Sequence, residues 1–287
     1  MADHVPFRRI AVIGTGLIGG SFALAVRKHF PSAHLIGWDR DAESLDHAAA
    51  RGAVQEKASD LAQGVRKADL VYVALPVSAI VKALPHIAAS AEPNALITDT
   101  GSTKTLIGQA ARECFRSQAL FVGGHPMAGK ESSGIEHASA ELFKNAPYAL
   151  IANSNTAEKR VNDFAELVTA IGAQVVWCDA ETHDWSVGIV SHVPQLLAIA
   201  LARVVEDETD ETGFPLALAG PGLHDALRLA GSPYGVWRDI LVTNSDNVAR
   251  ALNRLGQAIE HLSQNLKDNE LEQEFRAANN LYKLLRK

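Results

Sequence analysis

The chain has 287 residues, 47% of them hydrophobic and 21% charged, enough to bury a core without external staples and to divide into two domains. Its formal net charge of −6, with no long basic run, argues against nucleic acid or an anionic membrane as the main partner. Only two cysteines occur, Cys114 and Cys178, with neither metal-ligand spacing nor a disulfide framework, so no metal is expected and a reducing cytoplasm is the expected compartment.

Along the chain, short β-rich apolar runs alternate with helical patterns. The runs are Arg9 to Ile13, Ala33 to Trp38, Leu70 to Ala74, Ala95 to Thr98, Leu120 to Val122, Tyr148 to Ala152 and Gln174 to Trp177. Helical stretches such as Gly19 to His29, Ala42 to Ala50, Val77 to Ala88 and Thr103 to Phe115 lie between them. This alternation predicts an α/β domain with a Rossmann-like, mostly parallel sheet over residues 1–180. From 181 to 287 the pattern is helical only, which predicts an all-α second domain. The start of the chain lacks the apolar segment of a secretory signal, and no apolar run is expected to reach the length of a membrane span.

Two predicted helices of the second half carry information. In the first, Asp184 to Val205, the residues Asp184, Gly188, Ser191 and Gln195 fall on one face of an otherwise apolar helix. Such a stripe is either a polar helix contact or the wall of a ligand site, and Pro194 predicts a local break in the backbone ladder. In the second, Asp246 to Lys267, a heptad-like seam of Val248, Leu252, Leu255, Ile259, Leu262 and Leu266 predicts packing in a bundle or across a dimer interface.

The sequence Ile10-Ala-Val-Ile-Gly-Thr-Gly-Leu-Ile-Gly-Gly-Ser21 sets Gly14, Gly16 and Gly19, with Leu17 and Ile18 between them, after a strand and at the opening of a helix. In that context Gly14 makes the tight turn, Gly16 admits a pyrophosphate to the backbone, and Gly19 lets helix and strand pack closely. Asp39, 20 residues after Gly19, is placed to accept hydrogen bonds from ribose hydroxyls, which favours NAD. Arg40 beside it leaves NADP open. Leu75 and Pro76, after the third long apolar run, belong to a loop expected to line the same crevice.

Downstream lies Val122-Gly-Gly-His-Pro-Met-Ala-Gly-Lys-Glu131, which puts His125 in a glycine-rich loop. A histidine beside a hydride acceptor has the pKa to take a hydroxyl proton during alcohol oxidation. The bland alternative is a turn residue.

Five segments together carry a resemblance that runs nearly end to end: Gly16-Leu-Ile-Gly-Gly-Ser21, Asp99-Thr-Gly-Ser-Thr-Lys104, Gly123-Gly-His-Pro-Met-Ala-Gly129, Ser191-His-Val-Pro194 and Ser232-Pro-Tyr-Gly-Val-Trp-Arg-Asp239. The chain resembles the prephenate/arogenate dehydrogenases, the TyrA family. That resemblance implies a helical dimerisation domain, hence a homodimer, and oxidative decarboxylation of a small anionic cyclohexadienyl compound, prephenate by preference and arogenate as the alternative, in tyrosine biosynthesis. It implies that His125 is the base, that Ser102 bonds the substrate hydroxyl or His125, that Arg228 grips a substrate carboxylate, and that Glu131 is an acid near the site mouth. Ser102 could equally cap the helix predicted from Thr103, and Arg228 could pair with Asp225. Trp237 is either a pocket wall or a core anchor.

The chain departs from the pattern at Gln195, where many relatives have a second histidine. Glutamine keeps hydrogen-bonding capacity but cannot titrate near neutrality. His192 lies about 60° around the helix from that position and is not expected to replace it. His125 is therefore expected to act as the only titrating group of its kind in the site. Two rival readings are a β-hydroxyacid dehydrogenase, for which the second domain offers no Gly-Gly-x-x-x-Lys segment, and a non-catalytic nicotinamide-binding protein.

Overall fold

Five of the apolar runs build the main sheet. β1 (Arg9–Ile13), β2 (His34–Trp38), β4 (Leu70–Val73), β5 (Leu96–Asp99) and β6 (Leu120–Val122) are joined by β3 (Glu56–Lys57), a two-residue strand too short and polar to stand out in the sequence. In the computed structural model, which describes residues 6–115, 119–130, 132–152, 158–209, 213–267 and 271–286, all six pair in parallel in the order β3-β2-β1-β4-β5-β6. The chain reverses its direction of winding between β1 and β4, and a ligand crevice opens at the carboxyl ends of such a pair.

Helices cover both faces: α1 (Leu17–His29), α2 (Ala42–Ala50), α3 (Leu61–Val65), α4 (Val77–Ser90) and α5 (Thr105–Cys114). One core cluster holds Phe22, Val26, Leu35 and Tyr72, the other Val71, Ile80, Ile97 and Ile107. Burial of these side chains is the main stabilising term, about 1.5–3 kcal/mol for each large one.

The last two apolar runs do not join this sheet, contrary to the expectation of one sheet. β8 (Pro147–Ile151) pairs in parallel with β9 (Gln174–Cys178), with α6 (Lys159–Ala170) between them in the chain, and antiparallel with β7 (Gly124–Pro126). The glycine pair explains the switch of sheets. A Cβ on Gly124 would stand 2.8 Å from the carbonyl oxygen of Asp99, so only glycine lets the chain cross the end of β5 and start β7. His125 is thus no loop residue: it sits mid-strand opposite Ala149. Beneath it the buried Lys104 ammonium bonds the Asp99 carboxylate and, at 2.6 Å, the Gly124 carbonyl, tying the two sheets together.

The helical half contains α7 (Ala180–Val187), α8 (Val193–Asp207), α9 (Phe214–Ala217), α10 (Pro221–Leu227), α11 (Tyr234–Thr243), α12 (Ser245–Gln264) and α13 (Leu271–Leu285). Between α7 and α8, residues Gly188–His192 form a π turn just before Pro194. Proline has no N–H to continue the ladder, and the extra residue per turn absorbs that loss. The continuous run Ala180–Asp207 corrects one expectation: it has 28 residues, and an 18-residue stretch within it has a mean hydropathy of 1.6, so it is long and apolar enough to cross a membrane by length and composition. Polar residues interrupt it in the sequence, and these are the ones that build the site described below.

Two carboxylates of the helical half cap helices of the first. Asp184 accepts from the backbone N–H of Lys104 (2.7 Å) and Thr105 (2.9 Å) at the start of α5, and Asp239 accepts from that of Ser78 (2.9 Å) in α4. Each satisfies otherwise open amides at the positive end of a helix dipole. The predicted seam is left largely uncovered: on α12 Val248 is buried but Leu252, Ile259 and Leu262 are exposed, as is Leu266 just past its end.

Candidate active site

The crevice at the β1/β4 switch has the form a dinucleotide requires. Gly14 adopts φ +91°, and a Cβ there would lie 2.3 Å from the Ala74 carbonyl oxygen; one on Gly19 would lie 1.9 Å from that of Gly14. Gly16, the N-cap of α1, faces open space instead, so a phosphate can approach its backbone and the free amides of the helix start. Leu17 and Ile18 begin α1, and Leu75 and Pro76 stand across the crevice between β4 and α4. Asp39, just past β2, accepts hydrogen bonds from the Thr15 amide (2.7 Å) and hydroxyl (3.2 Å), which fixes its carboxylate beside the glycine loop. With the exposed Arg40, it lines a hollow of about 650 Å³ that also includes Lys57 and Gln63.

A second cavity of about 350 Å³ gathers most of the remaining candidates from segments far apart in the sequence. Ser102, His125, Ser191, Gln195, Arg228 and Trp237 all line it. Lys130 and His192 line it too, and neither was expected there. Glu131 lies outside the described residues.

His125 is buried, and its Nδ1 stands 2.9 Å from Nε2 of His183, whose own Nδ1 is 2.8 Å from the Asp184 carboxylate. Burial works to raise the Asp184 carboxyl, but hydrogen bonds from His183, Thr105 and Lys104 outweigh it and hold the group below the usual carboxylate range. An ionised carboxylate only accepts, so His183 carries its proton on Nδ1 and, when neutral, accepts through Nε2. His125 must then donate from Nδ1, which leaves the lone pair on its Nε2. Among the described residues only Arg9 Nε and Thr98 Oγ1 are buried side-chain polar atoms without partners, so Nε2 of His125 opens onto the cavity the ring lines.

Burial first, then the neighbouring His183, Lys104 and His192, push the His125 pKa well below the ordinary histidine value. The ring is therefore neutral, and basic at Nε2, at pH 7. This arrangement corrects three expectations. The group that orients His125 is His183 and not Ser102, which borders the cavity without a bond to either histidine; nor does Ser102 cap α5, whose first amides belong to Asp184. His125 is also not the only histidine at the site, since His183 is bonded to it and His192 shares its cavity.

The polar stripe on the long helix proves to serve both of its possible purposes. Asp184 makes a helix contact and Gly188 packs on Asn247, while Ser191 and Gln195 line the cavity. Gln195 is buried and donates its amide to the Leu229 carbonyl at 2.8 Å. It thereby anchors the Arg228–Gly231 turn that carries the arginine.

His192 is held by burial, against the pull of Asp184 and with the help of His183, at a pKa of about 4. A free histidine titrates near 6.5, so between the two values the unfolded chain takes a proton that the folded chain refuses. The stability due to the neutral ring is complete above pH 6.5 and is lost as the pH falls through 4, about 3 kcal/mol in all. Urea midpoints should accordingly fall from pH 7 to pH 4, and His192→Gln should make that fall shallower. An equally steep fall in the variant would assign the titration to other groups.

A sheet domain with a dinucleotide crevice, followed by a helical domain that closes a histidine-bearing cavity against it, places this chain among two-domain dehydrogenase folds. Residues 22–177 match the family model for the nucleotide-binding domain of prephenate dehydrogenase and residues 179–285 that for its dimerization domain; the chain belongs to the prephenate dehydrogenase family. It is 36% identical over 242 residues to the prephenate dehydrogenase of Bacillus subtilis, a match covering 83% of this chain and 65% of that protein, so the chain spans about two thirds of that relative. Among solved structures it is similar to the prephenate dehydrogenase of Aquifex aeolicus in complex with hydroxyphenyl propionate and NAD+, with 26% identity, a TM-score of 0.87, and coverage of 99% of this chain and 98% of that one. The arogenate dehydrogenase of Synechocystis is also similar, with 28% identity and a TM-score of 0.81 over 96% of this chain and 99% of that one.

Proposed function

We propose that this chain is an NAD-dependent enzyme that oxidatively decarboxylates prephenate to 4-hydroxyphenylpyruvate in tyrosine biosynthesis. The observation that carries the proposal is the unpartnered Nε2 of a neutral, buried His125 in a cavity shared with Arg228, in a chain that also holds a glycine-lined dinucleotide crevice. NAD, when bound, supplies the acceptor for the hydride of the ring carbon that bears the hydroxyl. Gly14, Gly16 and Gly19 with Leu17, Ile18, Leu75 and Pro76 would form its cradle, and Asp39 would accept hydrogen bonds from its ribose, with Arg40 alongside.

On the substrate side His125 takes the hydroxyl proton at Nε2, and the imidazolium so formed is stabilised through Nδ1–H and His183 by the Asp184 carboxylate. The ring carboxylate leaves as carbon dioxide, its bonding electrons aromatise the ring, and that step runs downhill. Arg228 is the clamp for a substrate carboxylate, and Ser102, Ser191, Gln195 and Trp237 complete the walls. Glu131 remains the acid assigned to the mouth.

The functional unit we propose is a homodimer formed through the helical domain, residues 181–287, with residues 1–180 as the dinucleotide domain of each copy. Exposed Leu252, Ile259, Leu262, Phe275 and Leu281 on α12 and α13 leave an apolar surface that a second copy would cover. Free thiols at Cys114 and Cys178 suit a reducing cytoplasm. The test is formation of reduced cofactor with prephenate and with arogenate, each against NAD and NADP. Turnover of prephenate with NAD is the expected result; turnover of arogenate alone would move the assignment to arogenate dehydrogenase, the alternative that the Synechocystis structure supports.

A further inference from the structure

The residues behind Nδ1 give the two cavity histidines opposite hydrogen-bonding roles. For His192 the chain of partners can be followed to groups whose roles are fixed. The Arg250 guanidinium, which only donates, lies 2.6 Å from the Asn247 side-chain oxygen, so the Asn247 amide nitrogen faces Asn244 and donates to its Oδ1 at 2.8 Å. At the other end of Asn244, Nδ2 lies 2.7 Å from the backbone carbonyl of Asp184, which only accepts. Both ends of the Asn244 amide are therefore assigned, and its NH2 group also stands 3.2 Å from Nδ1 of His192.

Nδ1 of His192 must accept, and in the neutral ring the proton then resides on Nε2. Trp237 meets the ring edge-on, with centroids 5.8 Å apart and planes at 90°, which holds its orientation. Nε2 is not among the buried unpartnered atoms of the described residues, and no group of the described chain bonds it, so it opens onto the cavity that the ring lines.

We propose that His192 is a substrate-binding residue, presenting Nε2–H as a neutral donor to an oxygen of the bound carboxylate substrate. The inference rests on reading this cavity as the substrate site. A neutral donor has a specific advantage here. A second cation beside His125 would make that ring still harder to protonate and weaken it as a base, whereas an N–H dipole binds the anion and leaves the charge to Arg228. His192 and Gln195, three residues apart at the start of α8, both line this cavity.

The test measures binding rather than turnover, using hydroxyphenylpropionate as the probe in calorimetry with NAD+ present. His192→Phe should weaken the probe by about 10- to 150-fold, the worth of one hydrogen bond to a charged group. His192→Gln, whose amide can donate, should stay within a few-fold of wild type, and NAD+ affinity should be alike in all three proteins. Wild-type affinity in His192→Phe, or equal losses in both variants, would overturn the proposal. So would histidine 15N spectra of the wild-type protein that place the His192 proton on Nδ1. Graded binding of the probe in a protein without prephenate turnover would leave the His192 assignment standing and remove only the proposed reaction.

Discussion

Replacing His125 with Asn is expected to lower kcat by about 10²- to 10⁴-fold, the usual contribution of a positioned base, while NAD affinity stays near wild type. Asparagine can keep the contact to His183 Nε2 through its amide, so the loss isolates proton abstraction from packing. The pH profile should carry the same signature. Since His125 acts neutral and its pKa is pushed well below the ordinary histidine value, turnover should persist below pH 6.5 and fail only as the ring finally takes a proton. That acid limb belongs to a ring whose Nδ1 is hydrogen-bonded to His183 and not to an isolated imidazole. Removing the second member with His183→Phe should lower kcat and shift the limb, with little change in the Michaelis constant. Unchanged turnover in His125→Asn would sink the assignment outright, and an acid limb at or above pH 6.5 would contradict the environment described for the ring.

What the sequence made legible follows from the range of each physical signal. The dinucleotide crevice is local: Gly14, Gly16, Gly19 and Asp39 fall within 26 consecutive residues, and their spacing alone dictates a strand, a turn and a helix start. The main sheet was legible for the same reason, as runs of apolar residues between helical patterns. The split into two sheets was not, because it depends on Gly124 crossing the end of β5, a contact between residues 25 apart. Ser102, Ser191, Gln195, Arg228 and Trp237 border the cavity, yet what several of them touch was hidden. Gln195 was expected to contact ligand, and it spends an amide hydrogen on Leu229. His183 escaped notice because its importance comes from His125, 58 residues earlier, and from a carboxylate that is its own neighbour. The dipeptide His183-Asp184 at the start of an apolar helix was the available signal: two polar groups entering a buried face must be bonded to something.

Replacing Arg228 with Ala should raise the Michaelis constant for prephenate by about 10²-fold, since two parallel hydrogen bonds to a carboxylate disappear together with the charge. A smaller effect on kcat is expected, because a clamp on a carboxylate takes no part in proton abstraction. Arg228→Lys should fall between the two, as an ammonium keeps the charge but loses the planar fork. Position matters as much as chemistry, and the structure supplies a separate handle on it. Arg228 opens the 3-10 turn Arg228–Gly231, which is pinned by the Gln195 amide on the Leu229 carbonyl. Gln195→Leu leaves the guanidinium intact and removes only that pin, so it should raise the Michaelis constant by less than Arg228→Ala does. In the double variant most of the Gln195 effect should vanish, since without the arginine there is no clamp left to misplace. Fully additive losses would mean that Gln195 touches the substrate itself, and an unaltered Michaelis constant in Arg228→Ala would place the carboxylate clamp elsewhere in the cavity.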